Sequence, residues 1–197
     1  MRHDTEMSPD RQKFLEEIGK VGSGQAAAAL ATLLKVPVSV CALRVMQLPV
    51  VEIMSLPQPP GDVFLGIYFT LYGEGMGRAL VMVSRDDACR LVDVACGKPL
   101  GSTRILDEYA QSAVREIGNI VTGAYLSAIR SLVAVPLVHS IPYLAMDQWR
   151  AIFDSLLTSL ATEVESVVLI EAEMSMETIN ARFLLIFMAG KWALGAA

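Results

Sequence analysis

Polar and apolar residues alternate along this chain in two rhythms, one of helical period and one of strand period. From Ser8 onward, Phe14, Ile18 and Val21, then the run from Gln25-Ala26 to Leu34, recur at helical spacing. This predicts a long helix capped by Ser8, with Pro9 at the first helical position, where proline is tolerated. Val36-Pro37 ends it, because the residue before a proline disfavours helical dihedrals. A second long helix is expected to open near Ser102 or Thr103, either of which can cap it. Asp107 and Glu108 fall in its early part, where carboxylates suit the helix dipole, and it runs to about Leu132, ahead of Val135-Pro136.

After each long helix the sequence turns β-rich. Val63–Tyr72 reads as a strand, the glycines of Gly73–Gly77 as a turn, and Ala79–Val83 as the returning strand of a hairpin. Ser166–Glu171, a polar turn near Glu177–Asn180, and Phe183–Phe187 repeat that layout. A shorter helix follows Asp86-Asp87, which can cap it, and ends near Gly97. Another spans roughly Asp147 to Ala161, with Trp149, Ile152, Phe153, Leu156, Leu157 and Leu160 on one face.

The two stretches are copies of one pattern. At an offset of 99 residues, the separation of Glu17 from Glu116, Glu17-Ile18-Gly19-Lys20 falls on Glu116-Ile117-Gly118-Asn119. Gly24 then falls on Gly123, and Val36-Pro37 on Val135-Pro136. This period is too long for a solenoid, and no low-complexity linker intervenes. The expectation is a single α/β domain over residues 1–197, pseudo-two-fold symmetric, built from halves of about 8–97 and 102–190. Two long helices would pack on antiparallel β-strands. The halves differ in their middles: the first holds the proline-rich loop Leu56–Gly61, the second the helix from Asp147.

Composition narrows the function classes. The 197 residues are 53% hydrophobic and 19% charged, the balance of a chain that folds. A net charge of -5 without a basic stripe excludes nucleic acid as a partner, and an acidic surface favours a partner with basic patches. Mean hydropathy is high, at +0.47. The longest apolar stretch, Ala124–Ile141, is nonetheless interrupted by Ser127, Arg130, Ser131, Pro136 and His139, and Phe183–Met188 is short. A spanning helix needs about 20 consecutive apolar residues. No basic-then-apolar signal opens the sequence, so membrane insertion is not expected and a cytoplasmic location is. Cys41, Cys89 and Cys96 have no C-x-x-C spacing, which points to three buried thiols with neither disulfide nor metal. His3 lies in an N-terminus expected to fray, and a lone His139 is a poor basis for histidine-dependent hydrolysis.

One constellation remains. Ser112, Glu116 and Asn119 are spaced by four and three residues, which puts them on one helix face, and Gly123 continues the line. Periodicity alone also describes an ordinary solvated face. Gly118 and Gly123 each cost a helix about 1 kcal/mol relative to alanine. They mark either close approach by a partner or packing between the two halves.

Ser112, Glu116, Asn119 and Pro142 together resemble the phosphatase pattern of the CheC/CheX/FliY family. That pattern is Asp or Ser, three residues, Glu, two residues, Asn, twenty-two residues, Pro. The segment Glu116–Leu126 is similar to the family's second motif, and the likeness extends over nearly the whole chain, duplication included. Length points to CheC within the family, since CheX is shorter and FliY adds a switch-binding domain. The resemblance implies hydrolysis of the aspartyl-phosphate of a CheY-like response regulator in chemotaxis. Asn119 would position the attacking water, and Glu116 would pair with the regulator's lysine. Ser112 would support the helix or contact the partner, and Pro142 would shape the following strand, away from the chemistry. It implies no cofactor of the chain's own, because Mg²⁺ comes with the regulator, and it names CheD as a further partner. At the matching positions the first half has Lys13, Glu17, Lys20 and Leu43. Lys20 has no acceptor and cannot replace an amide. Glu16 and Lys20 stand in the order of a helix-surface ion pair, so the first long helix reads as structural, with one motif intact. Three readings stand beside this one: a non-catalytic CheD-binding adaptor, a flagellar-switch component, and a phosphatase for a regulator outside chemotaxis.

Overall fold

A computed structural model describes residues 8–73, 77–133, 136–158 and 166–189. His3, positions 74–76 of the predicted glycine turn, Val135, Leu160 and Ala161 lie outside the described residues, as does the side chain of Leu156.

Two 26-residue helices dominate, α1 (Pro9–Leu34) and α3 (Glu108–Val133). Ser8 caps α1, its hydroxyl accepting from the Arg11 N–H, and Lys35 closes it in the left-handed conformation at φ 57°. The start of α3 differs from expectation: Asp107, not Ser102 or Thr103, caps it, accepting from Ala110 N–H at 2.9 Å. The N–H groups of Ser102 and Thr103 are occupied elsewhere, by the carboxylate of Asp93. Likewise Ser84, not Asp86 or Asp87, caps α2 (Arg85–Ala95) by accepting from Asp87 N–H.

The strands are β1 (Val38–Pro49), β2 (Phe64–Gly73), β3 (Gly77–Ser84), β4 (Leu137–His139), β5 (Tyr143–Asp147), β6 (Ser166–Met176) and β7 (Asn180–Ala189). They form one antiparallel sheet in the order β1-β6-β7-β3-β2-β4, with β5 also on β2. Neither β1 nor β4 and β5 is evident from the local pattern of Val38–Pro49 and Leu137–Asp147, where most positions are exposed or half-buried. Their pairing is exchanged across the duplication. The leading strand of the first half joins the hairpin of the second, and the leading strands of the second half join the hairpin of the first.

Helices cover both faces of the sheet, one more layer than two long helices supply. On one face α1, α2 and α3 bury a core that includes Leu15, Ile18, Leu30, Ile67, Phe69, Val114, Ile117 and Tyr125. On the other, α4 (Trp149–Thr158) and a 3₁₀ helix (Val50–Ser55) bury Ile53, Phe64, Trp149, Ile152 and Phe153. The helix expected from Asp147 thus begins at Trp149, because Asp147 still pairs with Phe64 at the end of β5. Of the three cysteines only Cys89 is buried; Cys96 is half-buried and Cys41 is exposed on β1.

The repeated Glu-Ile-Gly has a packing explanation for two of its three residues. Ile18 and Ile117 are buried. Gly19 and Gly118 face the sheet: a Cβ on Gly118 would sit 2.5 Å from Ile67 Cδ1, and one on Gly19 would collide with Val45. Only the glutamates, Glu17 and Glu116, face solvent. The helices also pack on each other, with Gly22 leaving room for the buried Tyr125 ring.

Candidate functional site

The polar stripe on α3 lies along an open groove. Ser112 and Glu116 are exposed and Asn119 is half-buried, a gradient set by α3 leaning onto the sheet near Gly118. The opposite wall is the link between β4 and β5. Together, Tyr109, Ser112, Ala113, Arg115, Glu116 and Asn119 from α3 and His139, Ser140, Ile141 and Pro142 from that link enclose about 610 Å³. Pro142 therefore does not stand apart from Ser112, Glu116 and Asn119, as the resemblance led one to expect; it lines the same groove.

A break in strand pairing brings it there. Leu71 pairs with His139 and Tyr68 with Tyr143, so Phe69 and Thr70 of β2 face the longer stretch Ser140–Pro142. This is a β-bulge, and Pro142 suits it because proline has no N–H for the ladder. Ser140 pins the bulge to β2: its N–H donates to Thr70 O at 2.9 Å, and its hydroxyl accepts from Thr70 N–H at 3.0 Å. The extra residue swings the chain toward α3 and leaves Ile141 89% exposed at the groove's lip.

Gly123 sits one turn beyond Asn119. A Cβ there would meet only His139 Nε2, at 3.7 Å, so the glycine faces the groove wall and not the other long helix. His139 is fixed on two sides. Its Nδ1 lies 2.9 Å from Ser140 O, and its ring stands edge-on to Phe69 with centroids 5.1 Å apart. Tyr109, Arg115, His139, Ser140 and Ile141 are groove residues that the sequence pattern did not single out. Tyr109 was within reach of it, since it precedes Ser112 by three residues on the same stripe. Arg115 donates to Gln111 Oε1 at 3.3 Å, along its own helix.

In the first half, Lys13, Glu17 and Lys20 are exposed on α1 and Leu43 is 37% exposed on β1. The bulge is present there as well: pairing of β1 with β6 shifts between Val40 and Ala42, and Cys41 donates to Glu173 O at 3.3 Å. A strand bulge thus occurs in both halves, while the carboxamide and the proline of the pattern occur only in the second. The expected Glu16–Lys20 ion pair is not among those of the described residues; Glu16 accepts from Gln12 Nε2 at 2.6 Å instead.

A second cavity, of about 310 Å³, lies between the proline-rich loop, Trp149 and α2. Two of its arginines are already engaged, Arg90 with Asp87 at 2.7 Å and Arg182 with Glu173 at 3.2 Å. It carries no stripe comparable to that on α3. Among the described residues there is no group of three or more His, Cys, Asp or Glu side chains that could hold a metal ion, and no helix long and apolar enough to cross a membrane.

No protein-family model matches the chain. Among curated proteins it is similar to the CheY-P phosphatase CheC of Bacillus subtilis, 25% identical over 171 residues, covering 82% of this chain and 78% of that protein. Among solved structures it superposes on FliY of Thermotoga maritima with a TM-score of 0.74 at 19% identity, covering 96% of this chain and 95% of that one. The chemotaxis protein CheX of Desulfovibrio desulfuricans gives 0.54 at 16% identity over 88% of this chain and 99% of that one. A chain of a FliG–FliM complex from Helicobacter pylori gives 0.67 at 10% identity over 96% of this chain and 100% of that one. At these identities the structural likenesses establish a shared fold.

Proposed function

We propose that this chain, a distant homologue of the CheC/CheX/FliY chemotaxis superfamily, hydrolyses the aspartyl-phosphate of a CheY-like response regulator at the groove beside α3. The observation that carries the reading is the convergence of Ser112, Glu116, Asn119 and Pro142 on one open groove. These four residues come from two elements, and a merely solvated helix face would not require the proline-bearing bulge to meet it.

The chemistry asks little of the groove. An aspartyl-phosphate is an acyl phosphate and already reactive, and the regulator brings its own Mg²⁺ and lysine. What remains is to hold a water in line with phosphorus, a matter of positioning and electrostatics. A carboxamide both accepts and donates, so Asn119 can orient that water. Glu116, exposed three residues earlier, reaches an incoming lysine and sets the register of docking. Ser112 lies a further turn out and contacts the partner's surface. In this reading CheD, which the sequence resemblance names, is a further candidate partner, and it need not use the groove.

The test is phosphate release from a phosphorylated CheY-like receiver domain. Asn119→Ala is expected to lower turnover about 10²-fold, the usual loss for one positioning group. Glu116→Ala is expected to raise the half-saturating regulator concentration as well, and wild-type affinity should fall as salt rises. Undiminished turnover by folded Asn119→Ala would overturn the proposal, leaving a binding-only role.

A further inference from the structure

His139 stands outside the motif that suggested the site, yet it forms part of the groove wall. Its Nδ1 lies 2.9 Å from the carbonyl oxygen of Ser140. A carbonyl can only accept, so Nδ1 carries the proton and donates. In the neutral ring that leaves Nε2 unprotonated, with its lone pair in the ring plane. The edge-on contact with Phe69 at 5.1 Å and the bulge that holds Ser140 fix the direction in which the lone pair points. Nε2 faces α3 at Gly123, where even an added Cβ would stand 3.7 Å away. Asn119 is one helical turn from Gly123 on the same face. A defined acceptor thus opens into the groove on the side of the carboxamide, and the residue between it and the helix lacks a side chain.

We infer that His139 Nε2 is a second water-positioning acceptor, sharing with Asn119 the task of orienting the attacking water in the hydrolysis proposed above, on which this inference rests. A water in line with phosphorus has two hydrogens to place. Asn119 takes one hydrogen bond and Nε2 takes the other, so the water's lone pair is directed at phosphorus. The water oxygen bonds to phosphorus as the bond from phosphorus to the aspartate oxygen breaks, and that electron pair leaves with the carboxylate. Both water hydrogens finish on the phosphate, released as H₂PO₄⁻, so the imidazole is an acceptor of hydrogen bonds and not a consumed base. A methyl group at Gly123 would come into ordinary contact with Nε2, at 3.7 Å, and so narrow the space through which a water reaches it.

Two isosteres separate this role from structural support. Asparagine can reproduce the Nδ1–H donor to Ser140 O but has nothing at the Nε2 position. Glutamine reaches the Nε2 position with an amide oxygen. Both lose the ring contact with Phe69 and only Asn keeps the bond to Ser140 O, so higher activity of Gln than of Asn can come only from the acceptor at the Nε2 position. In the phosphate-release assay with a phosphorylated receiver domain, His139→Asn should lower kcat about 10-fold with half-saturation little changed, while His139→Gln recovers to within about threefold of wild type. Gly123→Ala should lower kcat similarly while raising the melting temperature, since it replaces a helix-interior glycine with a better helix former. Equal kcat for folded His139→Asn and wild type, or Gln no better than Asn, overturns the inference even if Asn119→Ala is inactive. Full activity of Asn119→Ala overturns the proposed function itself, so the two failures are distinguishable.

Discussion

Asp93 offers a demanding test of how the segment leading into α3 is held. It is fully buried at the end of α2. Its carboxylate accepts from the backbone N–H of Gly101 at 2.7 Å, Ser102 at 3.1 Å and Thr103 at 2.9 Å. Burial works to raise the carboxyl, but the hydrogen bonds from Thr103, Gly101 and Ser102 outweigh it and hold the group below its ordinary range. Asp93→Ala removes a charged acceptor from three donors. Bonds to a charged group are worth about 1.5–3 kcal/mol each. Gly101 and Ser102 are exposed and recover much of this from water, so a net loss of about 2–4 kcal/mol is expected. For a chain of this size that is a fall in Tm of roughly 5–15 °C. The pH dependence has a definite sign. A folded pKa below the unfolded value of about 3.9 gives stabilisation that is complete above that pH and is lost as pH falls through the folded value. The Tm gap between wild type and Asp93→Ala should therefore be constant from pH 7 to about 5 and shrink below about 4. Circular dichroism melts at several pH values measure it. A gap under about 2 °C at pH 7, or one that widens on acidification, would refute the reasoning.

Gly22→Ala should destabilise despite its better helix propensity. The new methyl would stand 2.7 Å from Tyr125 Cε1, with the ring fully buried and unable to turn aside, so overpacking of about 1–3 kcal/mol exceeds the gain of about 1 kcal/mol. Denaturant melts should report this loss, and in a Tyr125→Ala background the same substitution should become neutral or stabilising. Glu17→Ala should leave most phosphate release intact, and Lys20→Asn should add little, because Lys13 and Leu43 still depart from the pattern. Substantial activity in the Lys20→Asn/Asn119→Ala double variant would instead reveal a competent first groove lacking one group.

Much of this plan was legible along the chain because it depends on local chemistry. The caps and prolines that bound α1, the strand–turn–strand rhythm of the two hairpins and the 99-residue offset are short-range or self-referential signals. The stripe of Ser112, Glu116 and Asn119 follows from helix period alone. Other features depended on competition for partners. Ser102 and Thr103 are sound caps by residue type, but Asp93 claims their N–H groups from nine and ten residues upstream, and Asp107 takes the cap. Tertiary contact also explains what the repeat left ambiguous: in Glu-Ile-Gly, isoleucine is core and glycine is clearance for the sheet, which only the positions of Val45 and Ile67 reveal.

What the chain determined by itself was therefore its helices and its two hairpins, their duplication and the residues presented on one helix face. What only the tertiary structure decided was which strands accompany which hairpin and what stands opposite that face. β1, β4 and β5 have few buried positions and so carry little period of their own; their identity comes from the edges they complete, across the duplication. The groove exists because β4 and β5 add to β2 out of step, and the resulting bulge carries His139, Ser140 and Pro142 to α3. A register shift is a relation between two distant segments, and neither segment encodes it alone.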